Sequence, residues 1–290
     1  MGRLSRSTDN HYRFASSSLS NERLLSFRDH SVRVLAFSSF LLFILHALFP
    51  QAAFGAGGSL HADGPELVLN LEGERILRGA KLVGLRFVLA GPDGVTHVRI
   101  DGVEEDGSAR GGPLLLYSMS VHSPDGEEKE PFCLSDPQGR RAGFVIPDGS
   151  GGFHFTCTSG AEGKCVRMGY RPWENRDGIS SHDLHKACVH MLRADYGGDN
   201  HPTTRDGTSV DIFDRFGIQH SEKADGMQFE AAWGADGAVC VARPRIVQNV
   251  TLDDIAARFP RLAGRLGPEK CSLEAMREEP RAILFNHSHP

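Results

Sequence analysis

The chain has six cysteines, Cys133, Cys157, Cys165, Cys188, Cys240 and Cys271, and all of them follow a basic-then-apolar leader. An even set of cysteines behind an export signal predicts disulfides, because oxidising compartments form them and reducing ones do not. Spacing does not choose among the possible pairings. No C-x₂-C occurs, so the spacing of a structural zinc site is absent. The cysteines therefore predict a stapled extracytoplasmic fold rather than a metal ribbon.

The leader carries that inference. Arg3, Arg6, Arg13, Arg23, Arg28 and Arg33 precede VLAFSSFLLFILHALFP, followed by QAAFGAGG. A basic region, an apolar run and a small-x-small site make a secretory signal. Cleavage is expected after Ala53-Phe54-Gly55, so residues 1–55 are the signal peptide and the mature chain starts at Ala56. The alternative is an uncleaved anchor over 34–49, although that run is short against the ~20 apolar residues a span needs. Translation starting near Val32 or Val34 would shorten the basic region. The whole chain has net charge −5. Loss of six arginines and three acids with the leader brings the remainder to −8. No basic stripe is left to neutralise phosphates, which excludes nucleic acid as a partner. Export places the protein in a periplasmic or extracellular setting, with no membrane span in the mature chain.

Residues 57–150 read as β-rich. Val83, Leu85, Phe87 and Leu89 alternate, as do Leu115, Tyr117, Met119 and Val121. Gly-Pro-Asp-Gly, Glu-Asp-Gly and Ser-Pro-Asp-Gly punctuate these runs, which is the pattern of strands and hairpins. An antiparallel sheet or small barrel is expected. Residues 151–290 read as a disulfide-stabilised α+β region, so the fold class is α+β, predominantly β. CTSGAEGKC reads as a tight loop. One main helix is predicted over about 180–195, capped by Ser180 or Ser181, with Leu184, Cys188, Met191 and Leu192 on one face. Gly197 and Gly198 then end it. A hairpin is predicted over about 227–242, with Phe229, Ala231 and Trp233 alternating before the Gly234–Gly237 turn. LDDIAARFPRLAGRL is a second amphipathic segment broken by Pro260, and AILF is a final strand.

The segments CTSGAEGKCVRMGYRPWE, HKACVHMLRADYGGDN, HPTTRDGTSVDIFDRFGIQ and FEAAWGADGAVCVAR resemble, in order and spacing, the ADYC domain family. The resemblance runs from about Thr156 to Arg243 and extends weakly to both sides. It implies a bacterial, exported protein of unassigned activity. One residue departs from the pattern: Ala194-Asp195-Tyr196 is followed by Gly197 where the family name has cysteine. The resemblance also implies a second cysteine near AARFPRL, where this chain has Phe259. Their joint loss would remove one disulfide rather than a nucleophile.

The densest chemistry lies in MLRADYGGDNHPTTRDGTSVDIFD. Asp195, Asp199 and His201, with Glu230, Tyr196 and Arg193, are the candidate catalytic group for a secreted hydrolase working through carboxylates. The competing reading is turn chemistry, because Asp-Asn and Asp-Gly pairs bond their own backbone. That reading also sets Asp211 and Asp214 on a strand edge facing water. A cysteine nucleophile at the helix end is excluded by Gly197, and Cys188 points with Leu184 and Met191 toward the core. His182, His185 and Cys188 cannot converge on one ion at 100° per residue. The acids do not match a calcium loop, and neither a cofactor nor a metal is called for. Tyr170, Arg171 and Trp173 form a candidate recognition surface, of the residue types favoured at binding hot spots. Asn249-Val-Thr and Asn286-His-Ser fit a glycosylation pattern. A structural or binding module of the cell envelope or periplasm fits these features best, with the hydrolase as the alternative.

Overall fold

The computed structural model describes residues 58–71, 75–91, 94–123, 129–149, 152–176 and 178–290. The leader and its cleavage site lie outside the described residues.

The first part is two antiparallel sheets. Strands β1 (Gly58–Asp63), β2 (Glu66–Leu71) and β3 (Arg75–Arg78) form a meander. Strands β4 (Arg86–Gly91), β5 (Gly94–Asp106), β6 (Leu114–His122), β8 (Ala142–Pro147) and β9 (Phe153–Cys157) form a sheet in that order, with β7 (Lys129–Pro131) paired to β6. The sheet ends on β4 and β9 and does not close, so the open-sheet expectation holds and the barrel does not. Alternation explains why the sheets stack. Phe87, Val98, Ile100 and Met119 point inward against Leu67 and Leu69 of β2. The Tyr117 hydroxyl, fully buried there, accepts the Leu67 N–H at 2.9 Å.

The second part wraps a four-stranded antiparallel sheet. Its order is β10 (Val210–Asp214), β13 (Leu284–Ser288), β11 (Gln228–Gly234) and β12 (Gly237–Val241). The predicted hairpin is β11–β12, and the final strand lies in the middle of the sheet. Helix α2 (Ser181–Arg193) is the predicted helix. Ser180 caps it by accepting the Asp183 N–H at 3.2 Å. Leu184, Cys188 and Met191 are buried against Trp233, Val241 and Leu284. The opposite face packs Phe213, Ala232, Cys240 and Phe285. Coverage on both faces is why β12, GAVCV, is buried at every residue.

Helix α1 (Ala161–Arg167) replaces the expected loop between Cys157 and Cys165. Those two cysteines do not pair with each other. Cys133–Cys157 ties the first sheet, Cys165–Cys188 ties α1 to α2, and Cys240–Cys271 ties β12 to the segment before α4 (Leu273–Arg277). Helix α3 (Leu252–Arg258) precedes it, with a full capping box between Thr251 and Asp254. No described helix is long and apolar enough to cross a membrane.

Candidate functional site

The signature segment begins where α2 ends. Ala194 closes the helix in the left-handed region, at φ 49°, before the glycines are reached. This turn sends Asp195 and Tyr196 into the protein, where they are 1% and 2% exposed. Asp195 bonds the His190 imidazole at 3.0 Å and accepts the Gly198 and Asn200 N–H groups at 3.1 and 3.0 Å. Burial opposes its charge, but His190 and the backbone donors outweigh burial and hold its carboxyl below the usual range. The other nitrogen of His190 meets the Ala235 carbonyl at 3.2 Å, so this imidazole is fixed at both ends.

Tyr196 stacks on Trp233 with ring centroids 5.4 Å apart. Its hydroxyl donates to Glu230 at 3.0 Å and accepts the Arg245 N–H at 2.8 Å. Glu230, fully buried, also pairs with the Arg245 guanidinium at 3.0 Å and accepts the Asn286 amide at 2.8 Å. Arg245 reaches on to the Met191 and Leu192 carbonyls in the last turn of α2. Asn286 in turn accepts the Trp233 indole N–H at 2.8 Å. A buried charge pair is tolerated only when its remaining hydrogen-bonding capacity is met, and here it is. Burial presses the Tyr196 hydroxyl well above the ordinary tyrosine range, and Glu230 adds to that, so the phenol stays neutral.

A second clamp closes from outside. Arg261, just after α3, donates to the carbonyls of Tyr196, Gly197 and Asp236 at 3.0, 3.0 and 2.8 Å. The Phe259 ring covers Gly197 so closely that a Cβ there would lie 2.1 Å from Cζ. The position that carries the family's cysteine therefore faces the segment where the resemblance implies its partner.

The three candidate catalytic residues have separate environments. Asp195 is buried and committed to internal donors. Asp199 is half-exposed and pairs with Arg258 at 3.1 Å. His201 is exposed. Glu230 belongs to the Tyr196 network rather than to a cleft with them. Asp211 and Asp214 depart from the water-facing expectation. Asp211 binds His287 and Ser221 at 2.8 and 2.7 Å, and Asp214 accepts the Phe216 and Gln219 N–H groups, both at 2.7 Å. The loops that follow β10 fold back over its edge and take those carboxylates as caps.

The recognition surface expected at Tyr170, Arg171 and Trp173 is also corrected. Tyr170 is fully buried and donates to Asp214 at 3.0 Å, Arg171 is 6% exposed and bonds the Gly112 carbonyl, and Trp173 is half-buried beside Gly64. These residues pack the two halves of the chain together instead of facing a partner. His182 is exposed while His185 is buried on the same helix. Among the described residues, no three His, Cys, Asp or Glu side chains come together as a metal site. Asn286 is fully buried, which removes one of the two glycosylation matches.

Sequence reasoning missed Arg245 and Arg261 altogether. Each acts through backbone carbonyls far away in the chain. No curated protein and no solved structure matches the chain. The model of the ADYC domain matches residues 79–247, more than half of the sequence and including the whole signature segment. The chain belongs to the ADYC domain family.

Proposed function

We propose that this protein is an exported binding module, held in the periplasm or cell envelope, whose Ala194-Asp195-Tyr196 segment serves folding rather than catalysis. One observation carries the reading: the polar atoms of the signature are spent inside the protein. Asp195 is engaged by His190, Gly198 and Asn200, and the Tyr196 hydroxyl by Glu230 and the Arg245 N–H. A general base needs a lone pair open to substrate, and both groups, 1% and 2% exposed, turn theirs into the protein. Three disulfides and the basic-apolar leader support an oxidising destination.

The test is Asp195→Asn in the purified mature protein. The amide brings an N–H₂ against N–H donors and loses the charge-assisted bond to His190, an expected destabilisation of roughly 1–3 kcal/mol. A broad ester, glycoside and peptide hydrolase screen should stay blank for both proteins. Turnover by the wild type that vanishes in a variant of unchanged Tm would overturn the proposal in favour of a hydrolase.

A further inference from the structure

Near its end, strand β13 carries an imidazole that is held from one side and open on the other. His287 is bonded through Nδ1 to the Asp211 carboxylate at 2.8 Å. Asp211 also accepts the Ser221 hydroxyl at 2.7 Å and the Glu222 N–H at 2.8 Å. A carboxylate that gathers donors in this way places the ring hydrogen on Nδ1 and leaves the lone pair on Nε2. The ring plane is fixed as well. Phe213 stacks on it with centroids 4.9 Å apart, and Phe229 meets it edge-on at 6.0 Å. Nε2 bonds no described residue, and it is not among the side-chain atoms shut off from solvent. The 8% of this side chain that stays exposed therefore includes Nε2.

A second imidazole follows two residues later. Ser288 is still paired on both sides, with Val210 of β10 and Gln228 of β11, and the chain leaves it without a left-handed turn. Residues i and i+2 of an extended chain point to the same side, about 6.5 Å apart at Cα. His289 therefore stands on the side of His287. It is exposed, bonds no described residue, and lays its ring over Gly226, 3.7 Å from where a Cβ would sit. At that separation two imidazoles have the reach to bring one nitrogen each onto a shared ion. The loop under His289 carries Glu222 and Asp225 against Lys223, and with Asp211 this balance favours a cation. Arg243 is engaged with Ser288, whose side chain alternates to the other face.

Metal-bound histidines characteristically give their other ring N–H to a carboxylate or carbonyl, which fixes the tautomer and strengthens the donor. His287 has such a partner in Asp211. Imidazole nitrogens suit zinc, nickel and copper, whereas magnesium and calcium take oxygen ligands. We propose that His287 and His289 chelate one divalent transition-metal ion, with Asp211 orienting the first imidazole and water filling the remaining positions. Two protein ligands make an open site, which needs no third His, Cys, Asp or Glu, and none is gathered there among the described residues. The inference goes beyond the binding-module reading and assigns no reaction to the ion.

The experiment is calorimetric titration of the mature protein with zinc chloride at neutral pH, with magnesium chloride as comparator. His289→Gln is the main variant, because an exposed and unbonded side chain leaves Tm unchanged. Zinc should bind one-to-one and at least about tenfold more tightly than magnesium, and His289→Gln should weaken it by about tenfold or more. Asp211→Asn keeps both imidazoles and should weaken zinc by about 10–100-fold. No zinc binding, equal binding of magnesium, or unchanged zinc binding in His289→Gln would overturn the chelate. Unchanged binding in Asp211→Asn would overturn the orienting role of that carboxylate. The binding-module reading is judged by the hydrolase screen and stands apart from each of these outcomes.

Discussion

Gly197 is the position where the physical reading is most exposed to test. Its φ is not in the left-handed region, so alanine there meets no backbone strain. The obstacle is the Phe259 ring, with Cζ, Cε1 and Cε2 at 2.1, 2.3 and 2.8 Å from an added Cβ. Real Cβ atoms do not approach ring carbons so closely, so the ring or the turn must shift. The turn is held by Arg261 on the Tyr196 and Gly197 carbonyls, and the ring carries Arg258 stacked at 5.1 Å. Overpacking of this kind costs about 1–3 kcal/mol. At about 2–4 °C per kcal/mol for a chain of this size, Gly197→Ala should lower Tm by roughly 2–12 °C. In a Phe259→Ala background the same substitution meets no ring. It should then be neutral or stabilising by about 0.4–1 kcal/mol, through the unfolded chain. The double-mutant cycle should therefore give a coupling of about 1–4 kcal/mol. Urea unfolding of the four proteins measures it. An equal cost of Gly197→Ala in both backgrounds would refute the contact.

Three further predictions concern charge and crosslinks. Burial opposes the Asp106 carboxylate, yet Ser108 and Arg167 hold its pKa down to about 2. A folded-state pKa below the unfolded ~3.9 means that the stabilisation is complete above about pH 5 and is lost as pH falls toward 2. The difference in stability between wild type and Asp106→Asn should shrink by about 2 kcal/mol over that window, and a pH-independent difference in acid titration would refute it. Non-reducing peptide mapping should recover Cys133–Cys157, Cys165–Cys188 and Cys240–Cys271 with no free thiol. Mild reductant without denaturant should open Cys133–Cys157 first, because Cys157 is partly exposed while the other pairs are buried; loss of Cys165–Cys188 first would contradict that order.

What the sequence reveals follows the range of the forces involved. Helix α2 is legible because its apolar spacing and the Ser180 cap are local, and the β11–β12 hairpin because its turn is glycine-marked. Helix α1 is not legible: seven residues with three charges and a glycine carry no period. Its place is set by the Cys165–Cys188 bond and by Gly163, where any Cβ would strike the Cys157 carbonyl at 2.2 Å. The acid-rich stretch was legible as turns but not as to depth. Asp211 finds His287, 76 residues away, and Tyr170 finds Asp214 across 44. Nothing near Asp211 or Tyr170 in sequence announces those partners, so one was read as solvated and the other as a surface.

The same distinction explains how the signature can lose its cysteine. A disulfide acts largely on the unfolded chain, by closing a loop before folding begins. The Phe259 ring and the Arg261 guanidinium act only on the native state, one by filling the space over Gly197 and the other by joining two carbonyls of the turn to the Asp236 carbonyl of the β11–β12 hairpin. Burial lowers the Arg261 pKa, which marks a real desolvation cost, but the same side chain gives the Gly197 and Asp236 carbonyls a charged donor. Asp195 and Tyr196 need that corner held, because their bonds to His190 and Glu230 depend on its direction. The crosslink that the resemblance implies is therefore the replaceable part of the motif. The buried acid and phenol are not, since each satisfies several groups that no substitute at position 197 could reach.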